Sequence, residues 1–196
     1  VLVSSASRVY GDPNPPFSAS YSGFKNGESS TVLDTPPVIS TTANLTSNVG
    51  TYPITASGGL DNNYSLTYTD GVLTIGKATL LATADNKSRG YGDANPVFTM
   101  TYSGFKNSET ATVIDTPPNG ATTATVTSAV GTYPITVSGG TDNNYTFTYA
   151  SGTLTVAQAV ITATADNKSR LYGDANPMFT ISYSGLRNNE TASVLD

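Results

Sequence analysis

Short runs in which every second residue is apolar recur along the chain. Phe98, Met100 and Tyr102 alternate with two threonines. The same alternation occupies residues 17–21, 133–137, 145–149, 154–156 and 179–183. A period of two indicates strands with one face buried and one exposed, which is typical of antiparallel sheets. The chain is therefore predicted to be mainly β.

These runs belong to a larger repeat. Tyr-Gly-Asp-Ala-Asn-Pro occurs at residues 91–96 and 172–177, and Tyr-Gly-Asp-Pro-Asn-Pro at residues 10–15, so successive copies are 81 residues apart. Residues 161–196 match residues 80–115 at 25 of 36 positions. We expect a window of a longer tandem array, with repeat one at 1–79, repeat two at 80–160 and the first half of repeat three at 161–196.

Turns and one short helix separate the predicted strands. Asp70-Gly71 and Ser151-Gly152 have the composition of tight hairpin turns. Residues 27–33, 107–115 and 189–195 interrupt the alternation, and we expect one or two helical turns in each, with Asn107 as a cap and Glu109 in the first turn. Strand is the alternative there, since Thr and Val weaken helices.

The predicted architecture is a tandem series of small antiparallel β domains, each with one short helix. A sandwich resembling immunoglobulin-like domains is favoured slightly, and a β-grasp-like sheet also fits the order of elements. No Gly/Ser linker separates the last strand of one repeat from the first strand of the next. Such a joint predicts an elongated, semi-rigid rod.

Composition narrows the possible functions. Only 12% of the 196 residues are charged, the net charge is -5, and the chain has neither His nor Cys. Disulfides, zinc sites with nitrogen or sulfur ligands, and catalytic pairs that need His or Cys are thereby excluded. The acidic balance argues against nucleic acid, and no apolar run is long enough to predict membrane insertion. We expect no enzyme activity and no catalytic residue.

A few side chains are candidate ligands, although each has a structural explanation that we favour. Asp61, Asp142, Asp93 and Asp174 are weak candidates for calcium, because their neighbourhoods supply few carboxylates and fit turns better. Calcium is the one cofactor considered, and none is required.

The other candidates are tyrosines, glutamates and lysines. Tyr102, Tyr133, Tyr145 and Tyr149 are suited to stacking on sugars, but their alternation with Thr favours the core. The glutamates Glu28, Glu109 and Glu190 occur once per repeat, which does not suit a catalytic pair. An amide cross-link from Lys106 or Lys87 to an Asn or Asp is compatible with the sequence but not required.

The ordered motifs resemble MBG-type domains, which have a Tyr-Gly-X signature. In repeat two these motifs are Tyr-Gly-Asp-Ala-Asn-Pro, Tyr-Ser-Gly-Phe-Lys-Asn (102–107), Val-Gly-Thr-Tyr-Pro-Ile (130–135), Asn-Tyr (144–145) and Gly-Thr-Leu-Thr-Val (152–156). The resemblance covers essentially the whole chain. It implies a stalk or adhesin module of a large secreted or cell-surface bacterial protein, with no catalytic residues to transfer.

The favoured function is a structural spacer of an extracellular bacterial surface protein, with the neighbouring repeats as partners. One alternative is an adhesion module that binds host or matrix glycans or proteins. Another is a filament or sheath subunit that self-associates through the half repeat, since half a domain leaves the apolar strand at 179–183 without a complete sheet.

Overall fold

The computed structural model describes residues 1–195 and confirms a mainly β chain. Asp196, the last residue of the predicted half repeat at 161–196, lies outside the described residues. The strands are β1 (Leu2–Val3), β2 (Ala6–Val9), β3 (Ala19–Ser20), β4 (Val38–Thr41), β5 (Gly50–Ser57), β6 (Gly71–Gly76), β7 (Ala78–Ala84), β8 (Lys87–Gly90), β9 (Met100–Ser103), β10 (Asn119–Ala121), β11 (Gly131–Ser138), β12 (Tyr145–Ala150), β13 (Gly152–Ala157), β14 (Thr162–Ala165) and β15 (Ile181–Ser184).

The same four-stranded sheet is built twice. In repeat one its order is β4-β5-β6-β2, and in repeat two β10-β11-β13-β8. In repeat one, β5 is antiparallel to both β4 and β6, as predicted. The fourth strand is different, because β2 lies parallel to β6 and β8 lies parallel to β13. Smaller sheets have the orders β1-β3, β12-β7-β9 and β14-β15. Repeats one and two thus each have a mixed four-stranded main sheet.

The chain divides into two compact units that do not coincide with the sequence repeats. The first comprises residues 1–82, 102–118 and 139–148. Its core contains Ile54, Leu73 and Ile75 from the main sheet of repeat one, together with Leu80 and Tyr145 from repeat two. Burying apolar side chains of two repeats in one cluster makes the packing of repeat one dependent on its successor.

The second unit comprises, among the described residues, 83–101, 119–138 and 149–195. Ile135, Leu154 and Val156 are buried on the main sheet of repeat two. They occupy alternate positions of β11 and β13, as the period-two pattern predicted. In the β14-β15 pair, Ile181 remains exposed.

The first joint between repeats has no linker, as predicted. β6 ends at Gly76 and β7 begins at Ala78, so a single residue separates the two strands. Between β13 and β14 the corresponding segment is residues 158–161. The last strand of repeat one is therefore followed almost directly by the first strand of repeat two.

The predicted hairpins at Asp70-Gly71 and Ser151-Gly152 are wrong. β12 and β13 are separated only by Ser151, yet they belong to different sheets. Gly152 instead permits a close approach of backbones, because a Cβ at this position would lie 2.4 Å from the carbonyl oxygen of Ala84. Gly152 therefore lies where two strands cross closely. A glycine suits both a hairpin turn and such a close approach, so the residue type alone does not distinguish them.

The short helices are single 3₁₀ turns at Ser30–Val32, Ala111–Val113 and Ala192–Val194. The prediction that Asn107 caps one of them is wrong, since Thr110 precedes that turn, and its side chain accepts no capping hydrogen bond. Asn107 and Ser108 have φ angles of 52° and 60°, and the Glu109 N–H donates to the Lys106 carbonyl at 2.9 Å. Residues 106–109 thus form a tight turn with two left-handed residues, which Asn tolerates. Glu109 lies in this turn rather than in a helix.

Candidate functional site at the joint between repeats

A buried arginine supports the Tyr-Gly-Asp turn in repeat one and in repeat two. Arg8 in β2 is only 8% exposed. Its Nε donates to Oδ1 of Asn14 at 2.7 Å, and its Nη2 donates to the carbonyl of Asn44 at 2.5 Å. A third bond runs from Nη1 to the carbonyl of Val9 at 3.2 Å. The guanidinium therefore has several hydrogen-bond acceptors although it is buried, as a buried charge requires.

Asn14, the asparagine of the motif, completes this support. Its amide donates to the carbonyl of Ala43 at 2.8 Å. In repeat two, Arg89 bonds Asn95 at 2.7 Å and also the Thr125 carbonyl, while Asn95 donates to Ala124 at 2.7 Å. These asparagines hold the turn to a neighbouring loop of the same repeat.

The turn at residues 106–109 of repeat two receives the tyrosine of repeat one. The Tyr10 hydroxyl donates to Oε1 of Glu109 at 2.6 Å, and the Tyr145 hydroxyl donates to Oε2 at 2.5 Å. The two tyrosine rings meet edge to face with centroids 5.5 Å apart. One carboxylate thus joins a tyrosine from each repeat.

The aspartate and glycine of the motif complete the contact. Asp12 forms an ion pair with Lys106, with 2.8 Å between Oδ1 and Nζ. Gly11 has a φ of +76°, and a Cβ there would lie 2.3 Å from Cβ of Lys106. Glycine is required both by the backbone conformation and by the space. We call Tyr10, Asp12, Lys106, Glu109 and Tyr145 the clasp.

The same contacts recur one repeat later, within the second unit. Tyr91 donates to Glu190 at 2.5 Å, across the 99 residues that also separate Tyr10 from Glu109. Arg187 approaches Asp93 at 3.4 Å, and a Cβ on Gly92 would lie 2.4 Å from Cβ of Arg187. The positive residue changes from Lys to Arg and the pairing is kept.

The loop that contains Asp142 belongs to the first joint. Oδ1 of Asp142 accepts the N–H groups of Asn144 at 2.7 Å and Tyr145 at 2.9 Å, so the loop is an Asx turn. The Lys77 ammonium donates to the carbonyl of Asp142 at 2.7 Å. Oδ1 of Asn144 accepts the N–H of Val49 at 3.0 Å. The loop therefore adds contacts from repeat one to those of the clasp.

Burial and hydrogen bonding shift the acidity of the clasp tyrosines. Burial, followed by the bond to Glu109, raises the pKa of Tyr10 and of Tyr145 above the ordinary value. Burial alone raises the pKa of Tyr102. The neutral phenol is favoured because it donates to the carboxylate, whereas a phenolate would repel it.

The calcium candidates occupy different surroundings. Asp142 is buried in its Asx turn, Asp61 makes the equivalent turn with Asn63 and Tyr64, and Asp93 pairs with Arg187. Asp174 is exposed, and its N–H donates to the Leu171 carbonyl at 3.2 Å. Residues 1–195 contain no group of three or more His, Cys, Asp or Glu placed to hold a metal. The four aspartates stay weak candidates for calcium, with turns as the favoured explanation.

The tyrosines divide between core and surface. Tyr145 is buried, and Tyr102 and Tyr133 are half-buried, as predicted. The expectation for Tyr149 is wrong, because it is 44% exposed toward the end of β12. Lys106 lies beside Asp12 in a solvent-accessible ion pair.

The contacts of the clasp were not predicted from the sequence. One feature of the sequence does indicate them. Asp12 with Lys106 and Asp93 with Arg187 combine opposite charges at the same separation of 94 residues.

Among the described residues, no helix has both the length and the apolar character to cross a membrane. A comparison with curated proteins finds no match. A family model described as "MBG domain (YGX type)" matches three times, at residues 1–74, 80–155 and 161–196. These matches cover nearly the whole chain and each includes one Tyr-Gly-Asp turn, so the chain belongs to the MBG domain family of the YGX type, as a tandem series of its domains.

Proposed function

We propose that this chain is a structural spacer of an extracellular bacterial surface protein, in which clasped repeats project other domains away from the cell. The clasp is the observation that supports this role. Tyr-Gly-Asp of one repeat contacts the Lys/Arg and Glu of the next at two successive joints, with the same separations in sequence. A contact repeated in register fixes each repeat on its neighbour, which is what a stalk requires.

The chemistry at the joint favours a mechanical role over a catalytic one. Glu109 accepts two tyrosine hydroxyls, Lys106 pairs with Asp12, and Arg8 bonds three oxygen atoms. Each of these polar groups already has a protein partner and serves to hold backbone segments together. The proposed function therefore involves no reaction and no required cofactor.

Small-angle X-ray scattering on chains with increasing numbers of repeats tests this function. Main-sheet strands such as β11 have 8 residues, and a strand of that length spans about 27 Å. We expect the maximum dimension to grow by a constant increment of about 30 Å or more for each added repeat. Compact particles, or the scattering of freely jointed beads, would contradict the spacer role.

A double variant tests whether the clasp makes the array stiff, independently of the length of the chain. Tyr10→Ala together with Tyr91→Ala removes both tyrosines from their glutamates and leaves the chain length unchanged. If the clasp stiffens the array, the variant has a smaller mean radius of gyration and a broader distribution of distances. Val97→Ala is the control, since Val97 is 83% exposed and lies outside the clasp.

Binding of glycans or proteins is a second candidate function. An open groove of about 720 Å³ in the first unit is lined in part by Arg8, Asp12, Pro13 and Pro15. A glycan array on the intact chain tests it, and specific retention that Pro13→Ser weakens would support it.

Melting the protein in calcium and in chelator tests the metal candidates, because an ion that binds only the native state raises the melting temperature of the protein.

A further inference from the structure

Asn44 begins the tripeptide Asn-Leu-Thr in the loop between β4 and β5. An Asn two residues before Ser or Thr, with any residue except Pro between them, is the sequence to which N-linked saccharides are attached. The tripeptide lies in a tight turn, since the Ser47 N–H donates to the Asn44 carbonyl at 3.1 Å. Asn44, Leu45 and Thr46 are all exposed. The tripeptide is therefore accessible on the surface of the folded chain.

The hydrogen bonds of this turn hold the side chain of Asn44 by its oxygen. Oδ1 accepts the N–H of Thr46 at 3.0 Å and the hydroxyl of Thr46 at 2.9 Å. The Ser47 hydroxyl approaches the same oxygen at 3.4 Å. Within residues 1–195, Nδ2 of Asn44 donates no hydrogen bond. The hydroxyl that the tripeptide requires thus contacts the amide, and the nitrogen that would carry a saccharide is free.

The exposure of this turn does not depend on a neighbouring repeat being absent. Asn44 is exposed although repeat two follows, and Asn48 of the same loop accepts a bond from Asn144 of that repeat at 3.1 Å. Repeat two has the equivalent turn at residues 125–128, where Thr125 takes the place of Asn44. Thr125 is also exposed, although repeat one precedes it. A preceding or a following repeat therefore leaves this turn open.

Five other Asn-x-Ser/Thr tripeptides, which begin at residues 63, 86, 144, 167 and 189, lack this combination. Nδ2 of Asn144 donates to Asn48, and its Oδ1 accepts the N–H of Val49. Oδ1 of Asn86 accepts the N–H of Thr153 at 2.8 Å instead of the hydroxyl of its own tripeptide. The tripeptides at 63 and 167 are the counterparts of these two, and the one at 189 lies in the turn that receives Tyr91.

We propose that Asn44, and not the other five asparagines, is the acceptor of an N-linked saccharide. The donor is a sugar diphosphate, such as a nucleotide sugar, and a separate transferase catalyses the reaction. A bond forms between Nδ2 and the anomeric carbon of the sugar. The bond from that carbon to the diphosphate oxygen breaks, the diphosphate leaves with the electron pair, and Nδ2 loses one proton.

The fold accommodates this modification. Oδ1 of Asn44 is unchanged in the product, so it still accepts the two bonds from Thr46. Arg8 and Asn14 bind the backbone carbonyls of Asn44 and Ala43, which the reaction does not touch. A saccharide would add hydration to a chain in which only 12% of residues are charged. The proposal does not depend on whether the array is a spacer.

Incubating the folded chain with UDP-glucose and a bacterial N-glycosyltransferase that accepts Asn-x-Ser/Thr tests the proposal. Peptide mapping by mass spectrometry measures the rate at which each asparagine gains a hexose. We expect Asn44 to be modified at least about fivefold faster than Asn144, since the bond from Nδ2 of Asn144 must first break. Synthetic peptides with the sequences of residues 40–50 and 140–150 measure the preference of the enzyme itself, and the rates in the folded chain are corrected by theirs.

Substitutions in the two equivalent turns give the sharpest result. Thr46→Val should abolish modification of Asn44, whereas Thr46→Ser should preserve it. Thr125→Asn introduces the sequence Asn-Val-Thr into the equivalent turn of repeat two. We expect this variant to gain a second hexose, at position 125, at a rate similar to that of Asn44.

Three outcomes would overturn the proposal. The first is a folded chain that gains no hexose at Asn44. The second is an equal corrected rate for Asn44 and Asn144, because a free amide nitrogen would then give no advantage. The third is a Thr125→Asn variant that stays unmodified at position 125, because the shape of the turn would then not make an acceptor.

Discussion

A buried arginine supports the Tyr-Gly-Asp turns of repeats one and two. Arg8 bonds neutral oxygens of Asn14, Asn44 and Val9, and no carboxylate accompanies it among these partners. The charge is compensated by carbonyl dipoles, which makes the site sensitive to any loss of a bond.

Replacing Arg8 with methionine should destabilise the protein. Met keeps much of the apolar volume but leaves the Asn44 carbonyl and the Asn14 side chain without their donor. We expect a loss of about 3 kcal/mol in the free energy of unfolding, measured in urea. Arg170→Met is the control, since Arg170 is exposed, and it should change stability by less than about 0.5 kcal/mol. Equal effects of the two substitutions would contradict the supporting role.

The clasp tyrosines predict a loss of stability at alkaline pH. The folded-state pKa values of Tyr10 and Tyr145 are raised above the ordinary 10.0. A raised pKa means that the folded state holds the proton more tightly, so this stability is fully present below pH 10 and declines as the pH rises above it. Tyr145→Phe should flatten the decline of urea midpoints above pH 10, while Tyr172→Phe should leave it unchanged.

At the scale of elements, the strands were far easier to predict than the turns. Alternation located β9, β11 and β13, because a sheet with one buried face must have a period of two. The turn at 106–109 was assigned to a helix because Asn and Glu in this order also suit a helix start. Only the φ angles of Asn107 and Ser108 distinguish the two, and no local pattern supplies them.

The long-range partners of the motif residues were also not predicted from the sequence. The bond from Arg8 to Asn14 was not identified from the sequence, since it depends on how β2 enters the loop. The clasp joins Tyr10 to Glu109 across 99 residues. Contacts at such distances follow from how repeats pack, which the spacing of motifs within a repeat does not reveal.

Gly152 gives a test of the strand crossing that replaced the expected hairpin. Gly152→Ala places a methyl group 2.4 Å from the Ala84 carbonyl oxygen, so one backbone must move. We expect a loss of about 1–3 kcal/mol in the free energy of unfolding. Gly76→Ala is the matched control, because the nearest atom to its Cβ is 3.9 Å away and repeat two has Ala157 at the equivalent position. A tolerated Gly152→Ala would argue for a relaxed turn instead.

For the whole molecule, the clasp should make the stability of one repeat depend on the next. Glu109→Gln weakens the bonds to Tyr10 and Tyr145 together, whereas Glu28→Gln affects only Tyr64 within repeat one. The first substitution should cost about 2 kcal/mol and the second less than about 1 kcal/mol. Hydrogen exchange measures whether the backbone amides of β5 and β6, which lie in repeat one, become less protected in Glu109→Gln. Unchanged protection of these amides would mean that the repeats are stabilised independently.

The shared core of the first unit also affects when each repeat can finish folding during synthesis. Repeat one completes its last strand at Gly76, but the core that this strand packs in includes Tyr145, 69 residues later. At a synthesis rate of about 5–20 residues per second, that interval is on the order of 3–14 s. During it the newly made repeat has its sheet but lacks the tyrosine that closes one end of its core. Each repeat would thus finish folding only as its successor emerges, so the array matures one repeat behind the growing end of the chain.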